Sequence, residues 1–388
     1  MINIINMSDF GPHLSTHEAT ERLGVSRQTL YSYVSRGLVR AVAASGDSRR
    51  SLYNAYDVAA LVERRSRGRA RRSIAASTTS WGEPILRSSL TLIANGRLSY
   101  RGQDAVGLAA RAHLEEVAGL LWNLPIPALQ GVGDLVPAAT RPMERCLQAM
   151  ALEAGHGDWA MNPSMVAARA ARMLGVLTQA AIGRPLRAGL PVHAQIALAW
   201  GLDATGADLV RRALVLCADH ELNASTYAAR VVASTGASLA ACILAGLAAL
   251  SGPQHGGTID RVLALAADPE VRCDPLGAFG VRIARGETLP GFGHRLYSHG
   301  DPRAAALLAA SPPESPWREM IEAAATLTGL QPSIDFTLAM LEQGLPLPAG
   351  GGLALFAVGR MVGWIAHALE QRADGQLIRP RAEHVPAD

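Results

Sequence analysis

The chain has 388 residues and a formal net charge of +3; it is 49% hydrophobic but only 5% aromatic. That length can bury a large core and predicts two or three domains, with alanine and leucine favouring packed helices over sheets. All 36 basic residues are arginine, which excludes lysine Schiff-base chemistry and a P-loop lysine.

In chain order, Met1 to Phe10 lacks the basic and apolar segments of a signal peptide, so a cytoplasmic protein is expected. Ser15 and Glu18 form an S-x-x-E capping box that starts a helix, and Gly24 stops it. Ser26 caps a second helix over Arg27 to Ser35, ending at Gly37. Two short helices about a Gly24-Val25-Ser26 turn read as a helix-turn-helix, with Arg27, Gln28 and Thr29 in the first turn of the recognition helix. Arg49 and Arg50 follow a Gly/Ser/Asp turn as a basic wing, and Asp57 begins a further helix. The arrangement resembles the winged helix-turn-helix of the MerR and excisionase type.

Arginines 64, 65, 67, 69, 71 and 72 come next, and residues 73–80 read as a flexible joint. Residues 1–80 hold 12 Arg against 6 acidic residues. A basic head on a mildly acidic body suggests contact with double-stranded DNA. The competing reading is a protein-binding module with a solvated basic linker. The expected boundaries are a head over 1–66, a linker over 67–81 and a body over 82–388.

In the body, helical patterning covers Leu108–Leu121, Met165–Ala181, Ala207–Ala218, Ser225–Leu250, Ala304–Ala310, Pro316–Thr328 and Leu353–Gln371. Strand signals are few, and Leu124 to Leu190 is poorly patterned outside the helix at Met165. Neither a GxGxxG nor a βαβ alternation occurs. The four cysteines, Cys146, Cys217, Cys242 and Cys273, are scattered without a CxxC pair, as suits a reducing compartment. The longest apolar run, Leu239 to Leu250, is shorter than the ~20 residues of a membrane span, so no membrane partner is expected.

Three histidines stand beside glycines, prolines and polar residues, in the segments Ala218 to Thr226, Gly252 to Gly257 and Pro290 to His294. Imidazoles on tight turns can face a small anionic substrate. Their spacing has no i,i+4 pair and no nearby carboxylate cluster, so neither a metal nor a cofactor is expected. Taken alone, Asp335 reads equally as a cap or an ion-pair partner, Arg360 as a surface or interface arginine, and His367 as a satisfied core histidine.

With Ser99-Tyr100-Arg101-Gly102, Asp301-Pro302-Arg303, Ile334-Asp335-Phe336, Gly359 to His367 and Arg379-Pro380-Arg381, these segments resemble the citrate synthase family, in its order, from about Gly82 to Arg381. The resemblance implies a mainly α fold: a large helical domain, a small helical domain inserted over about 255–345, and a cleft between them. Family members are dimers that join acetyl-CoA to oxaloacetate and hydrolyse the citryl-CoA formed. By match, Asp335 is the base, His255 the donor at the thioester oxygen, and His294 the group that polarises the ketone. Arg303, Arg360, Arg379 and His220 hold oxaloacetate, Arg379 across the subunit interface. Pro290, Gly291, Phe292 and Gly293 contact CoA, the glycines leaving backbone N–H groups available.

The sequence departs from the family at three places. Thr258-Ile259-Asp260 follows Gly257 where Ala-Asn-Glu is usual, Ser298 stands where a basic residue is common, and Thr337 replaces an aromatic. Loss of the basic residue is expected to weaken CoA binding by ~1–3 kcal/mol. Two further readings stay open. One is 2-methylcitrate synthesis from propionyl-CoA, one methylene away. The other is a DNA-binding transcriptional regulator with a ligand-sensing body.

Overall fold

The computed structural model describes residues 13–44, 47–62, 86–129, 133, 139–156, 162–382 and 384, without the side chains of 47–50. The chain divides into two compact units, Met1–Arg87 and Ser88–Asp388.

The first unit runs β1 (His13–Leu14), α1 (Thr16–Leu23), α2 (Arg27–Ser35), β2 (Ala41–Ala44), β3 (Asp47–Asn54) and α3 (residues 55–62). The expected capping box forms: Ser15 Oγ accepts Glu18 N–H at 3.3 Å, and Glu18 Oε2 accepts Ser15 N–H at 2.8 Å. Gly24 turns left-handed with φ 60°, and Ser26 Oγ accepts Thr29 N–H. An antiparallel sheet of order β1-β3-β2 backs the helices. Leu14, Leu23, Leu30, Val39, Tyr53 and Val58 fill a small core. Asp57 takes Arg40 in a bidentate pair, with N–O distances of 2.8 and 2.9 Å. Arg27 and Gln28 are exposed at the start of α2, and Thr29 is half-buried. Arg49 and Arg50 lie on β3, with side chains outside the described residues. The arginine run over 64–72 and the linker over 67–81 also lie outside them.

The second unit opens with an antiparallel sheet of β4 (Thr91–Ala94), β5 (Arg97–Tyr100) and β6 (Gln103–Asp104). Its helices follow as α4 (Ala105–Arg111), α5 (Leu114–Trp122), α6 (Pro142–Ala154), α7 (Pro163–Ile182), α8 (Val192–Trp200), α9 (Ala204–Cys217), α10 (Ala224–Ser234) and α11 (Leu239–Leu250). Then come α12 (Thr258–Ala267), α13 (Pro269–Cys273), α14 (Pro275–Ala284), α15 (Pro302–Ala310), α16 (Trp317–Thr328), α17 (Ile334–Gly344) and α18 (Gly351–Asp374).

Two expected helices are each broken in two. Leu108–Leu121 divides because Ala112 is extended, at φ −91° and ψ 157°, after which His113 opens α5. Ser225–Leu250 divides where Gly236 takes φ 80° and Ser238 caps α11 through Ala241 N–H. The apolar period runs through both breaks, which is why the pattern alone merges them. The sheet before α4 was not legible as strands, because its strands span only 2–4 residues. Between Leu124 and Leu190, the expected helix at Met165–Ala181 forms as α7, and α6 adds a helix that the poor patterning did not show.

The Ser99–Gly102 motif works as a double cap. Tyr100 is buried, its hydroxyl within 3.1–3.3 Å of the carbonyls of Val215, Leu216 and Asp219 at the end of α9. Arg101, at φ 44°, donates Nε and Nη2 to Leu121 O near the end of α5. Both contacts satisfy carbonyls that a helix end leaves unpaired.

At the centre of this unit lies α18. Its 24 residues are long and apolar enough to cross a membrane by length and composition, yet they are buried in the protein along nearly their whole length. It packs against α5, α6, α7, α9, α10, α11 and α17. Close approach requires glycine at Gly359, where a Cβ would stand 2.7 Å from Leu214 O, and at Gly363, where it would meet Ala218 O and Asp219. Gly363→Ala is therefore expected to destabilise by more than ~2 kcal/mol. Equilibrium denaturant unfolding of the purified variant checks this; an unchanged midpoint would contradict the packing.

Candidate active site

Every histidine of the expected site sits at a turn or helix start. His220 lies between α9 and α10, His255 in the turn before α12, and His294 in the loop after α14. Asp335 is in the first turn of α17, Arg303 in the first turn of α15, and Arg360 in mid-α18.

Asp301 organises one wall. Arg303 donates Nε at 2.9 Å and Nη2 at 2.8 Å to its two oxygens. The backbone N–H groups of Arg303 and Ile334 complete the set, both at 3.0 Å. Burial opposes ionisation of Asp301, but Arg303 outweighs it and holds the carboxyl below its usual range. Ile334 starts the helix that carries Asp335, so one carboxylate fixes the arginine and the aspartate together.

Asp335 itself is partly accessible, and its Oδ1 has no partner. Burial pushes its pKa up to about 6; Arg303 works against this and Asp301 with it. The two charges of that ion pair act in opposite directions at Asp335, and burial is the largest influence.

The imidazoles are held neutral. Burial, then Arg360 and Arg303, lower His255 to about 3. Burial, then Arg303, lower His294 to about 4. His220 is lowered well below the ordinary value by burial, Arg303 and Arg360. His294 Nδ1 accepts Leu296 N–H at 3.2 Å, which leaves its own proton on Nε2. His255 Nε2 is 2.8 Å from Ser225 Oγ, which also lies 2.7 Å from Asn223 Oδ1 and accepts Trp364 Nε1–H at 3.1 Å. Ser225 has one proton for two acceptors. When its hydroxyl turns to His255 Nε2, the imidazole proton stands on Nδ1.

Two cations complete the site. Arg360 donates Nε to Cys217 O at 2.8 Å and lies over the Phe356 ring at 4.9 Å, and its buried Nη2 has no partner. The same ring stands nearly perpendicular to His255, with centroids 5.9 Å apart. Behind His220, Asp219 Oδ2 accepts Thr91 Oγ1 at 2.5 Å and pairs with His367 Nε2 at 3.2 Å. His367 is thus a satisfied core histidine. Arg379 is not brought here; it is exposed in the segment after α18.

The expectation that the Pro290–Gly293 glycines leave backbone donors available needs correction at Gly293, whose N–H donates to Gln331 O at 2.8 Å. Phe292 also turns inward, packing on Phe336 at 4.9 Å and Phe279 at 6.0 Å. Gly291, at φ 82°, allows this, because a Cβ there would stand 2.6 Å from Val262 Cγ2. Of the departures from the family pattern, Ile259 is fully buried in α12, and Thr337 is buried with Oγ1 donating to Ile334 O. Ser298 is exposed, its hydroxyl 2.9 Å from His299 Nδ1. Sequence reasoning missed Ser225, Asp301 and Tyr297. The signals were present: a hydroxyl inside a polar helix start, an Asp before Pro-Arg, and a Tyr three residues past a histidine in a glycine-rich turn.

Residues 79–381 match the family model described as citrate synthase, C-terminal domain. The chain belongs to the citrate synthase family. Citrate synthase 2 of Bacillus subtilis is 33% identical over 356 residues, covering 78% of this chain and 93% of the relative. The 2-methylcitrate synthase of Mycobacterium tuberculosis is 29% identical over 329 residues, covering 73% and 83%. Among solved structures, citrate synthase from Thermotoga maritima aligns with a TM-score of 0.66 at 27% identity, covering 79% of this chain and 94% of that one. The ternary complex of Thermoplasma acidophilum citrate synthase with carboxymethyl coenzyme A and oxaloacetate aligns equally well, at 25% identity and 80% and 97% coverage.

The raised pKa of Asp335 has a stability consequence. Its native form holds a proton that the unfolded form releases nearer pH 4, so its contribution to stability falls as pH rises from about 4 to about 6. Asp335→Asn is expected to gain on the order of 2 kcal/mol at pH 8, after screening by the solvent that reaches the site, and little at pH 4. Thermal unfolding of both proteins at the two pH values measures this; an equal effect at both would contradict it.

Proposed function

We propose that this citrate synthase family member condenses acetyl-CoA with oxaloacetate to give citrate and CoA, with Asp335 as the base. The observation that carries the reading is electrostatic. One guanidinium, Arg303, perturbs His220, His255, His294 and Asp335 together, so acid, base and anion-binding groups share one site.

The chemistry follows from the protonation states. Asp335, ionised above about pH 6 and with Oδ1 unpartnered, takes a proton from the acetyl methyl group. His255, neutral, donates from Nδ1 to the developing enol oxygen when Ser225 serves its Nε2. His294 Nε2–H polarises the oxaloacetate ketone and then protonates the alkoxide. Arg303 and the unpartnered Nη2 of Arg360 take the substrate carboxylates, which suits the planar fork of arginine, and His220 adds a hydrogen bond. Water then hydrolyses citryl-CoA. The segment Pro290–Gly293 is assigned to CoA, with Gly291 rather than Gly293 as the backbone donor. Helices α12–α17 are assigned to the small domain inserted over about 255–345. The exposure of Arg379 fits a role in the site of a neighbouring subunit within a homodimer. Propionyl-CoA in place of acetyl-CoA is the close variant, supported by the 2-methylcitrate synthase relative.

The head supports a second activity. Its two helices, its tight turn, its β2–β3 hairpin and the exposed Arg27 and Gln28 fit a winged helix-turn-helix on double-stranded DNA, with Thr29 in the same first turn of α2 and Arg49 and Arg50 in the hairpin strand β3 as further candidate contacts. A regulator whose body only senses ligand is the competing reading; the retained, pKa-shifted Asp335 favours an enzyme.

Thiol release from acetyl-CoA and from propionyl-CoA, each with oxaloacetate, tests the enzyme. Wild-type kcat/KM is expected to fall as pH drops through about 6, and Asp335→Ala to lose at least ~10³-fold in kcat with oxaloacetate binding retained. Wild-type turnover in that variant would remove Asp335 as the base. For the head, Arg27→Ala is expected to weaken DNA binding and reduce its salt slope by about 1. No affinity of the wild type at low salt would end the DNA reading.

A further inference from the structure

The loop that carries His294 also carries Tyr297, a residue with no part in the chemistry above. Tyr297 is 2% exposed, and its Oη is 2.9 Å from His220 Nε2. Its ring crosses that of His220 at 68°, with centroids 5.6 Å apart, and lies tilted against His294 at 4.9 Å. The Arg303 guanidinium is 6.0 Å from its centroid. Three groups assigned to oxaloacetate thus surround one phenol. Burial raises its pKa, so it stands as a neutral hydroxyl.

His220 is neutral as well, so only one ring nitrogen carries a proton. Among the described residues, Tyr297 Oη has no other hydrogen-bond partner than His220 Nε2. A buried hydroxyl gives its proton to the acceptor within reach rather than leave it unpaired. The phenol then donates to Nε2, and the imidazole proton stands on Nδ1. Nδ1 has no hydrogen bond of its own, so its N–H is the donor that His220 can offer an anion.

We propose that Tyr297 is the positioning residue for oxaloacetate binding: its hydroxyl fixes the Nδ1–H tautomer of His220, and its ring sets the orientation of His294. The bond also joins the loop between α9 and α10 to the loop between α14 and α15. The identity of the anion rests on the function proposed above; the tautomer does not.

The test is Tyr297→Phe, which keeps the ring and removes the hydroxyl. Losing one net hydrogen bond is expected to raise KM for oxaloacetate about tenfold, with KM for acetyl-CoA and the melting temperature little changed. A merely structural tyrosine would move the melting temperature and both KM values together. Nitrogen-15 NMR of histidine-labelled protein, with the His220 signal assigned by its absence in His220→Gln, reads the tautomer directly. Nδ1–H is expected in the wild type, with Nε2–H gaining in Tyr297→Phe. An Nε2–H tautomer in the wild type, or an oxaloacetate KM unchanged in Tyr297→Phe, would overturn the proposal. A wild type that neither turns over nor binds oxaloacetate calorimetrically would overturn the enzyme reading instead, with the NMR spectrum still deciding the role of Tyr297.

Discussion

The buried carboxylate of Asp301 is the constraint on which the site depends. Its two oxygens accept four donors, three from Arg303 and one from Ile334. Arg303 and Asp301 are each 2% exposed, so neither charge has water to fall back on. Removing one member of such a pair costs about 3–5 kcal/mol, because the other is left charged and uncompensated. The pair therefore sets where the Arg303 guanidinium stands and where α17 begins. It also sets the field at Asp335. A lone arginine there would pull that carboxyl down, and a lone aspartate would push it higher. Together they leave Asp335 ionised at neutral pH but weakly solvated.

The same economy of charge holds for the imidazoles. Burial and Arg303 keep His220, His255 and His294 neutral, with Arg360 adding to the effect at His220 and His255, so each offers a single N–H and no net charge. Under the proposed function the enol and alkoxide oxygens would be met by hydrogen-bond donors, with positive charge kept for the carboxylates. Which nitrogen carries each proton is decided one contact further out. Leu296 N–H decides it for His294, and for His255 it turns on whether the single proton of Ser225 goes to its Nε2 or to Asn223 Oδ1. A neutral imidazole without such a partner would be free to hold its proton on the wrong side.

Much of this was legible in the residues. The capping box at Ser15 and Glu18 rests on local chemistry, and α1 and α2 follow from it. Gly256 and Gly257 mark the tight turn that holds His255, and a Cβ on either would collide with neighbours at 2.7–2.8 Å. The helix breaks at Ala112 and Gly236 were not legible, since apolar periodicity continues across both and tertiary packing decides where the chain turns. The supply of backbone donors from Pro290–Gly293 was overstated because the partner of Gly293, Gln331, lies far along the chain. Tyr297 escaped for a related reason. A tyrosine three residues past a histidine says nothing until another loop brings His220 to its hydroxyl.

Helix α18 has a consequence for how the body is made. Residues 351–374 form the partner surface of seven other helices, six of which lie more than a hundred residues earlier in the chain. A ribosome releases those six with their apolar faces turned toward a centre that does not yet exist. The head has a small core of its own, whereas the packing of the body rests on contacts between segments far apart in the chain, which form late in folding. The body's greatest need of chaperones is expected in the interval before α18 is made, while those apolar faces have no partner.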